Sequence, residues 1–300
     1  MKKSASILSG CFLALAVVVQ ARQDETTRKL WDTAFISPPT TKRTKKPSAR
    51  RRYRVATASV APTHVEADTV VGVTLWRLRP ARRSDTGERL LVHEGAGATD
   101  WIPERIEADT KLPAGTRVRL SVEAARSGYL YVIDREEYAN GSFGEPYLIF
   151  PTTRTNRGQN EVRAGRVIEI PGQEDQPPFF TLTPSRPDQV SEVISVLITT
   201  APLEGLQIGE SMVKLEPAQV AAWEQSWGGS VGRLEMEQGA GRSWTKGERE
   251  AGADATRALD QSDPPPQTLY YKPDAKSGTP VMVNVQLRCL PSSRSPRRRR

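Results

Sequence analysis

Two shortages limit the chemistry of this chain more than any of its motifs: in 300 residues there are only 2 cysteines and 2 histidines. Of the cysteines, Cys11 lies in an apolar leader, so Cys289 is left alone in a processed chain and no intramolecular disulfide can form. Cys289 closes an alternating segment, which suits a half-buried apolar residue better than a reactive thiol. His64 and His93 have no cysteine or second histidine at ligand spacing, so the usual structural and catalytic zinc sites are excluded. A Ser-His-Asp triad would have to recruit His93, and the chain has no Gly-x-Ser-x-Gly elbow to present its serine. Gly95-Ala96-Gly97 lacks both a third glycine and a Walker lysine, so it makes no phosphate cradle. The spacing of Ser211 with Lys214, and of Lys276 with Ser277-Gly278, imitates penicillin-binding enzymes, but Ser211 falls on a strand pattern where that motif needs a helix start. No cofactor is expected.

Long apolar runs are missing as well. Residues 11–19 are too few to span a bilayer, and they follow Met1-Lys2-Lys3 and precede Val19-Gln20-Ala21. That order of positive, apolar and small residues reads as a secretory signal peptide over residues 1–21, cleaved after Ala21. Leu8-Ser9-Gly10-Cys11 resembles a lipoprotein box, but most of the apolar run follows Cys11, which favours cleavage at Ala21.

Acids are absent between positions 33 and 65, where Lys42, Arg43, Lys45, Lys46, Arg50, Arg51, Arg52 and Arg54 cluster. Residues 22–65 are therefore expected to be a disordered basic linker, and residues 291–300, with Arg294, Arg297, Arg298, Arg299 and Arg300, a disordered Arg-rich tail. Over residues 55–290, 25 Lys and Arg stand against 32 Asp and Glu, while the rest of the chain holds 18 against 3. The net charge of +8 thus resides in the tails, and these cations are the candidate contacts to a polyanion.

What the chain does contain is β pattern. Val118, Leu120, Val122 and Ala124 alternate with Arg117, Arg119, Ser121 and Glu123, which predicts a half-buried strand with Leu120 inside and Arg119 outside. Glycines at 115, 128, 141, 144, 158, 165 and 172 cut the region into strand-length pieces, and Asn140-Gly141 suits a turn needing positive φ. Strands are predicted over 69–79, 90–92, 105–108, 116–124, 128–134, 146–150, 162–170, 179–183 and 190–199. The fold class is mainly β, an antiparallel, immunoglobulin-like sandwich over residues 66–203.

Gly128-Tyr129-Leu130-Tyr131-Val132-Ile133-Asp134, then Leu148-Ile149-Phe150-Pro151, Asn160, Val162, Ala164-Gly165, Ile168, Ile170-Pro171 and the apolar strand from Val193 to Ile198, occur in an order that resembles the bacterial domain of unknown function 4384 family over roughly residues 70–203. The resemblance implies a bacterial extracytoplasmic or signalling-associated β-module with no established activity. Relatives often carry an Asp-rich turn after the Tyr-Leu-Tyr-Val strand. Here an arginine enters that turn, residues 134–141, which favours a solvated hairpin over a calcium loop.

Beyond Pro202 a strand over 209–215 and a helix over 217–227 are predicted, the latter with Val220, Trp223 and Trp227 on one face. Thr245-Lys246-Gly247-Glu248 has capping-box spacing and starts a second helix to about Leu259, and strands return at 268–272 and 281–287. Residues 204–290 are expected as a smaller α+β extension packed on the sandwich. Glu136-Glu137 and Glu248 with Glu250 read as solvated acids; Tyr129 and Tyr131 read as sheet-edge packing before sugar or base stacking.

The sequence therefore points to a non-enzymatic, exported interaction or scaffold module of the bacterial cell envelope, periplasmic or secreted, with an envelope protein or polymer as partner. The alternative is a polyanion binder that holds nucleic acid, acidic glycan or anionic lipid through its basic tails. An uncharacterised hydrolase ranks third.

Overall fold

Period-two alternation and glycine turns fold the chain into two β-sheets that share one apolar core. The computed structural model describes residues 34–36, 52–56, 65, 67–95, 97–254, 256–273 and 275–290. Along the first half run β1 (Tyr53–Val55), β2 (Val71–Pro80), β3 (Leu90–Glu94), β4 (Gly97–Ile106), β5 (Lys111–Leu112), β6 (Arg117–Ala124), β7 (Gly128–Tyr138) and β8 (Tyr147–Phe150). Then come β9 (Glu161–Val162), β10 (Arg166–Ile170), β11 (Phe180–Thr181), β12 (Gln189–Thr199), β13 (Val213–Lys214), helix α1 (Pro217–Trp227), β14 (Gly232–Met236), helix α2 (Lys246–Ala253), β15 (Thr268–Tyr271) and β16 (Val281–Cys289).

One sheet runs β1-β14-β15-β2-β4-β3, with β6 on the other side of β2 and β10 and β11 paired to β6. The other runs β13-β8-β7-β12-β16-β5, with β9 paired to β7. Pairing is antiparallel except between β16 and β5. Val73, Leu75, Leu120, Val122 and Ile168 of the first sheet share one buried cluster with Leu130, Val132, Ile194, Val196, Val283 and Val285 of the second. The β-sandwich expectation holds. So does the turn at Asn140-Gly141, where Gly141 has φ of 79° and the Asn140 side chain accepts from the Ser142 amide.

Several boundaries move. Strand β7 runs on to Tyr138, through the residues expected to form a hairpin. Strand β4 absorbs Trp101, Ile102 and Pro103, and a turn at Gly165 splits the expected 162–170 strand in two. Helix α2 stops at Ala253, well short of Leu259.

Residues 204–290 are not an extension laid on a finished sandwich. Strand β16 lies beside β12 inside the second sheet, and β15 joins β14 to β2 in the first. Without them, one edge of β12 and part of one edge of β2 would be left unpaired. The linker boundary shifts for the same reason. Tyr53–Val55 pairs with β14, the Tyr53 hydroxyl donates to the Pro266 carbonyl at 2.8 Å, and Phe35 is buried at 1% exposure beside Leu234, Leu259 and Tyr271. Apart from 34–36, 52–56 and 65, the expected linker lies outside the described residues, as do the signal peptide and the 291–300 tail.

The predicted outward face of β6 is also covered. Arg119 is 1% exposed and Glu123 5%. Helix α2 seals this face by lying close on β10, where a Cβ at Gly252 would run into the Glu169 carboxyl. Trp244 adds a lid, its ring centroid 6.2 Å from that of Trp76.

Candidate functional site

The second face of the first sheet holds a layer of paired charges. Arg119 Nη2 donates to Glu169 Oε2 at 3.0 Å and to the Pro171 carbonyl at 2.8 Å. Burial pulls the Arg119 guanidinium down and pushes the Glu169 carboxyl up, while the charge of each partner opposes both shifts. The guanidinium stays protonated, since its ordinary value lies so far above neutral. Nearby, Arg105 donates to Glu248 through Nε at 2.8 Å and also through Nη2, and Nη2 reaches the Pro265 carbonyl at 2.9 Å. Glu248 completes the capping box of α2, its Oε2 accepting from the Thr245 amide at 2.8 Å and hydroxyl at 2.6 Å.

A cleft of about 550 Å³ opens beside this second pair. Arg52, Arg105, Arg242, Glu237 and Glu248 supply its charge, and Met236, Pro264 and Pro265 its apolar wall. The segment after β14 shapes it, because the Arg105 amide donates to the Arg242 carbonyl at 2.9 Å and the Trp244 amide to that of Pro103 at 2.9 Å. No sequence spacing marks this site, whose three arginines stand on three distant segments.

At one end of the sandwich a second group of acids is buried. Asp134 and Glu192 are electrostatic neighbours, Gln189 Nε2 donates to Glu192 Oε1 at 2.7 Å, and Asp134 Oδ1 and Glu192 Oε2 are buried with no hydrogen-bond partner. Burial raises both carboxyls; the charge of Asp134 adds to the rise of Glu192, pushed up to about 8, and the charge of Glu136 to that of Asp134, pushed up to about 6. The folded chain therefore holds a proton that the unfolded chain releases near pH 4.3. That contribution to stability is complete below the unfolded value and is lost as pH rises toward about 8. The slope is expected to be at most about 1.4 kcal/mol per pH unit. In Glu192→Gln, urea midpoints measured from pH 5 to 8 should fall less than in the parent; an unchanged slope would show that this pair does not share the proton.

The other sequence candidates are dispersed. Arg54 is paired with Glu107 at 2.5 Å, so it is not a free tail cation, and Arg52 lies in the cleft. Lys42, Arg43, Lys45, Lys46, Arg50, Arg51, Arg297, Arg298, Arg299 and Arg300, like Ala21 and His64, lie outside the described residues. His93 is exposed on β3 rather than in a loop. The Cys289 thiol is pushed up to about 11 by burial and by Glu192, which leaves it a poor nucleophile. Lys214 pairs with Glu145 at 3.2 Å and the Ser277 hydroxyl donates to Asp68 at 2.7 Å, so the penicillin-binding imitation is taken apart. Glu136 accepts from Tyr138 and Ser185, and Glu137 from Ser191 and Gln286. Tyr131 is buried, its hydroxyl accepting from the Leu203 amide at 2.9 Å, and Tyr129 packs beside it with Trp223 and Trp227 of α1. Among the described residues, no group of three or more His, Cys, Asp or Glu is placed to hold a metal ion, and no helix is long and apolar enough to cross a membrane.

The stretch from β5 through β12 carries the Tyr-Leu-Tyr-Val strand, the Phe150-Pro151 turn and the apolar strand of the second sheet. Residues 111–202 match the family described as Domain of unknown function (DUF4384). The similarity is to this stretch of the chain alone. The match begins later than the resemblance at residue 70, so β1 to β4 and everything after β12 lie outside it. No curated protein and no solved structure matches the chain. The matched stretch spans both sheets, giving β6, β10 and β11 to the first and β5, β7, β8, β9 and β12 to the second, and β2, β13 and β16 pair onto it. The cleft takes only residues outside the match.

Proposed function

We propose that this protein is a non-enzymatic, exported interaction or scaffold module of the bacterial cell envelope that engages an envelope protein or polymer through its folded body. The observation that carries the reading is the open cleft at the rim of the first sheet, built by segments that lock the DUF4384 stretch into a larger two-sheet body. Loops and strand ends held on a rigid scaffold are where such modules bind. The leader of residues 1–21 supports export.

A second reading, a polyanion binder working through its basic tails, draws support from Arg52, which joins the basic run of residues 42–51 to the cleft. Cutting the chain at residue 55 would not separate the readings, because it removes Phe35 and most of β1 from the fold. Neutralising charge does separate them. The full-length gene should yield a protein beginning at Arg22 outside the cytoplasm, and crosslinking in the native cell should capture the same envelope partner when Lys42, Arg43, Lys45, Lys46, Arg50 and Arg51 are changed to glutamine and residues 291–300 are removed. An intact Met1, or lipid on Cys11, refutes the cleavage. Loss of the captured partner together with heparin retention makes the tails the binding element.

A further inference from the structure

We propose that Asp134 and Glu192 form a proton-controlled latch over Cys289: with Glu192 protonated the thiol is shut in, and with both carboxyls ionised the end of β16 opens and the thiol becomes accessible. The three strands lie side by side. Glu192 stands between Glu136 of β7 and Leu287 of β16, and Asp134 lies in the next inward row, opposite Ile194. Glu192 is 7% exposed and Cys289 9%, and Asp134 Oδ1 and Glu192 Oε2 are buried with no hydrogen-bond partner. Gln189 links the acids to the thiol, its Nε2 donating to Glu192 Oε1 at 2.7 Å and standing 4.0 Å from Cys289 Sγ.

No base compensates the pair among the described residues. On β7, Arg135 pairs with Glu224, Glu137 accepts from Ser191 and Gln286, and Glu136 accepts from Tyr138 and Ser185. Arg186 is taken by Asp188, Arg288 of β16 by Asp109, and Lys111 of β5 is exposed. Across the core, Val118 and Leu182 share an apolar cluster with Ile194 and Leu287. Two carboxylates ionised in such a place are costly, and the cheapest relief is to open the least-held element beside them. That element is the end of β16. Its ladder with β12 stops at Arg288, one residue before Cys289, and beyond it only the two-residue β5 and the Leu290 amide bond to Leu112 at 2.8 Å hold it. The closed end binds a proton that the open end releases, so opening increases with pH by at most about tenfold per unit and levels off above about 8, where Glu192 is ionised even when closed. Opening also frees the thiol from the burial that pushes it up to about 11, so exposure and ionisation act together.

The test is labelling of Cys289 in the full mature chain by methyl methanethiosulfonate, an uncharged reagent, from pH 6 to 9. Rates are read at the Cys289 peptide by mass and divided into those of a short capped cysteine peptide at the same pH, which removes the ordinary ionisation of a thiol. Protection should fall about tenfold or more between pH 6 and 8 and level off above. Glu192→Gln should abolish that fall, and Asp134→Asn, which leaves Glu192 buried but without its charged neighbour, should move the levelling point below about 8. Labelling at pH 8 should be unchanged in 1 M urea, because a local opening exposes little surface, whereas unfolding of the whole chain would speed it several-fold. An equal fall in the parent and in Glu192→Gln overturns the latch, as does a rate that climbs with urea. If urea melts show that Glu192→Gln does not fold, Asp134→Asn decides alone, and a levelling point equal to that of the parent overturns the proposal.

Discussion

Arg119→Ala is expected to destabilise the folded chain by about 3–5 kcal/mol, as much as deletion of a core leucine, because it strands the Glu169 carboxylate in a site closed to water. Arg119 is 1% exposed, donates to Glu169 and to the Pro171 carbonyl, and sits 5.3 Å from the centre of the Trp244 ring. The neighbouring Leu120→Ala should cost about 2–5 kcal/mol by leaving a cavity between the sheets. The two losses have different causes, and a second substitution tells them apart. Adding Glu169→Gln to Arg119→Ala removes the unpaired charge and should restore part of the stability, whereas adding it to Leu120→Ala should restore none. Urea melts of the four variants decide the matter. A cost below about 1 kcal/mol for Arg119→Ala is what a solvated arginine gives, and would mean that α2 does not cover this face.

Phe35→Ala is expected to cost about 3–5 kcal/mol, although Phe35 belongs to a stretch whose composition marks it as linker. Its ring is 1% exposed and packs in one cluster with Tyr53, Leu234, Leu259 and Tyr271, so its loss opens a cavity among β1, β14, β15 and the segment after α2. Thermal and urea unfolding of the full mature chain measure this. A midpoint equal to that of the parent would show that the segment before β1 merely trails from the fold.

Much of the fold was legible in the sequence where the physics is local. The alternation of Val118, Leu120, Val122 and Ala124 marks β6 and its inner face, Asn140-Gly141 marks a turn, and Thr245 with Glu248 marks the start of α2. Each depends on a period or spacing within one segment. Even Cys289, at the end of an alternating strand, is buried as its position implies.

What escaped depends on partners far away in the chain. Gly232–Met236 and Tyr53–Val55 carry little strand signal of their own and become strands because each lends the other its hydrogen bonds across some 180 residues. Asp134 looked like the start of a polar turn, but β12 extends β7 past it and encloses it with Glu192. The cleft is the extreme case: Arg52, Arg105 and Arg242 meet only because β1, β4 and the segment after β14 do.

By itself, then, the sequence determined that the chain is mainly β and that its cationic excess lies outside residues 55–290. The tertiary structure alone decided which faces are interior. Arg119 alternates with Leu120 in the same way whether water or a second layer covers its side of the strand. Period two separates the faces of a strand without saying what lies beyond either, and that depends on where a helix more than a hundred residues away comes to rest.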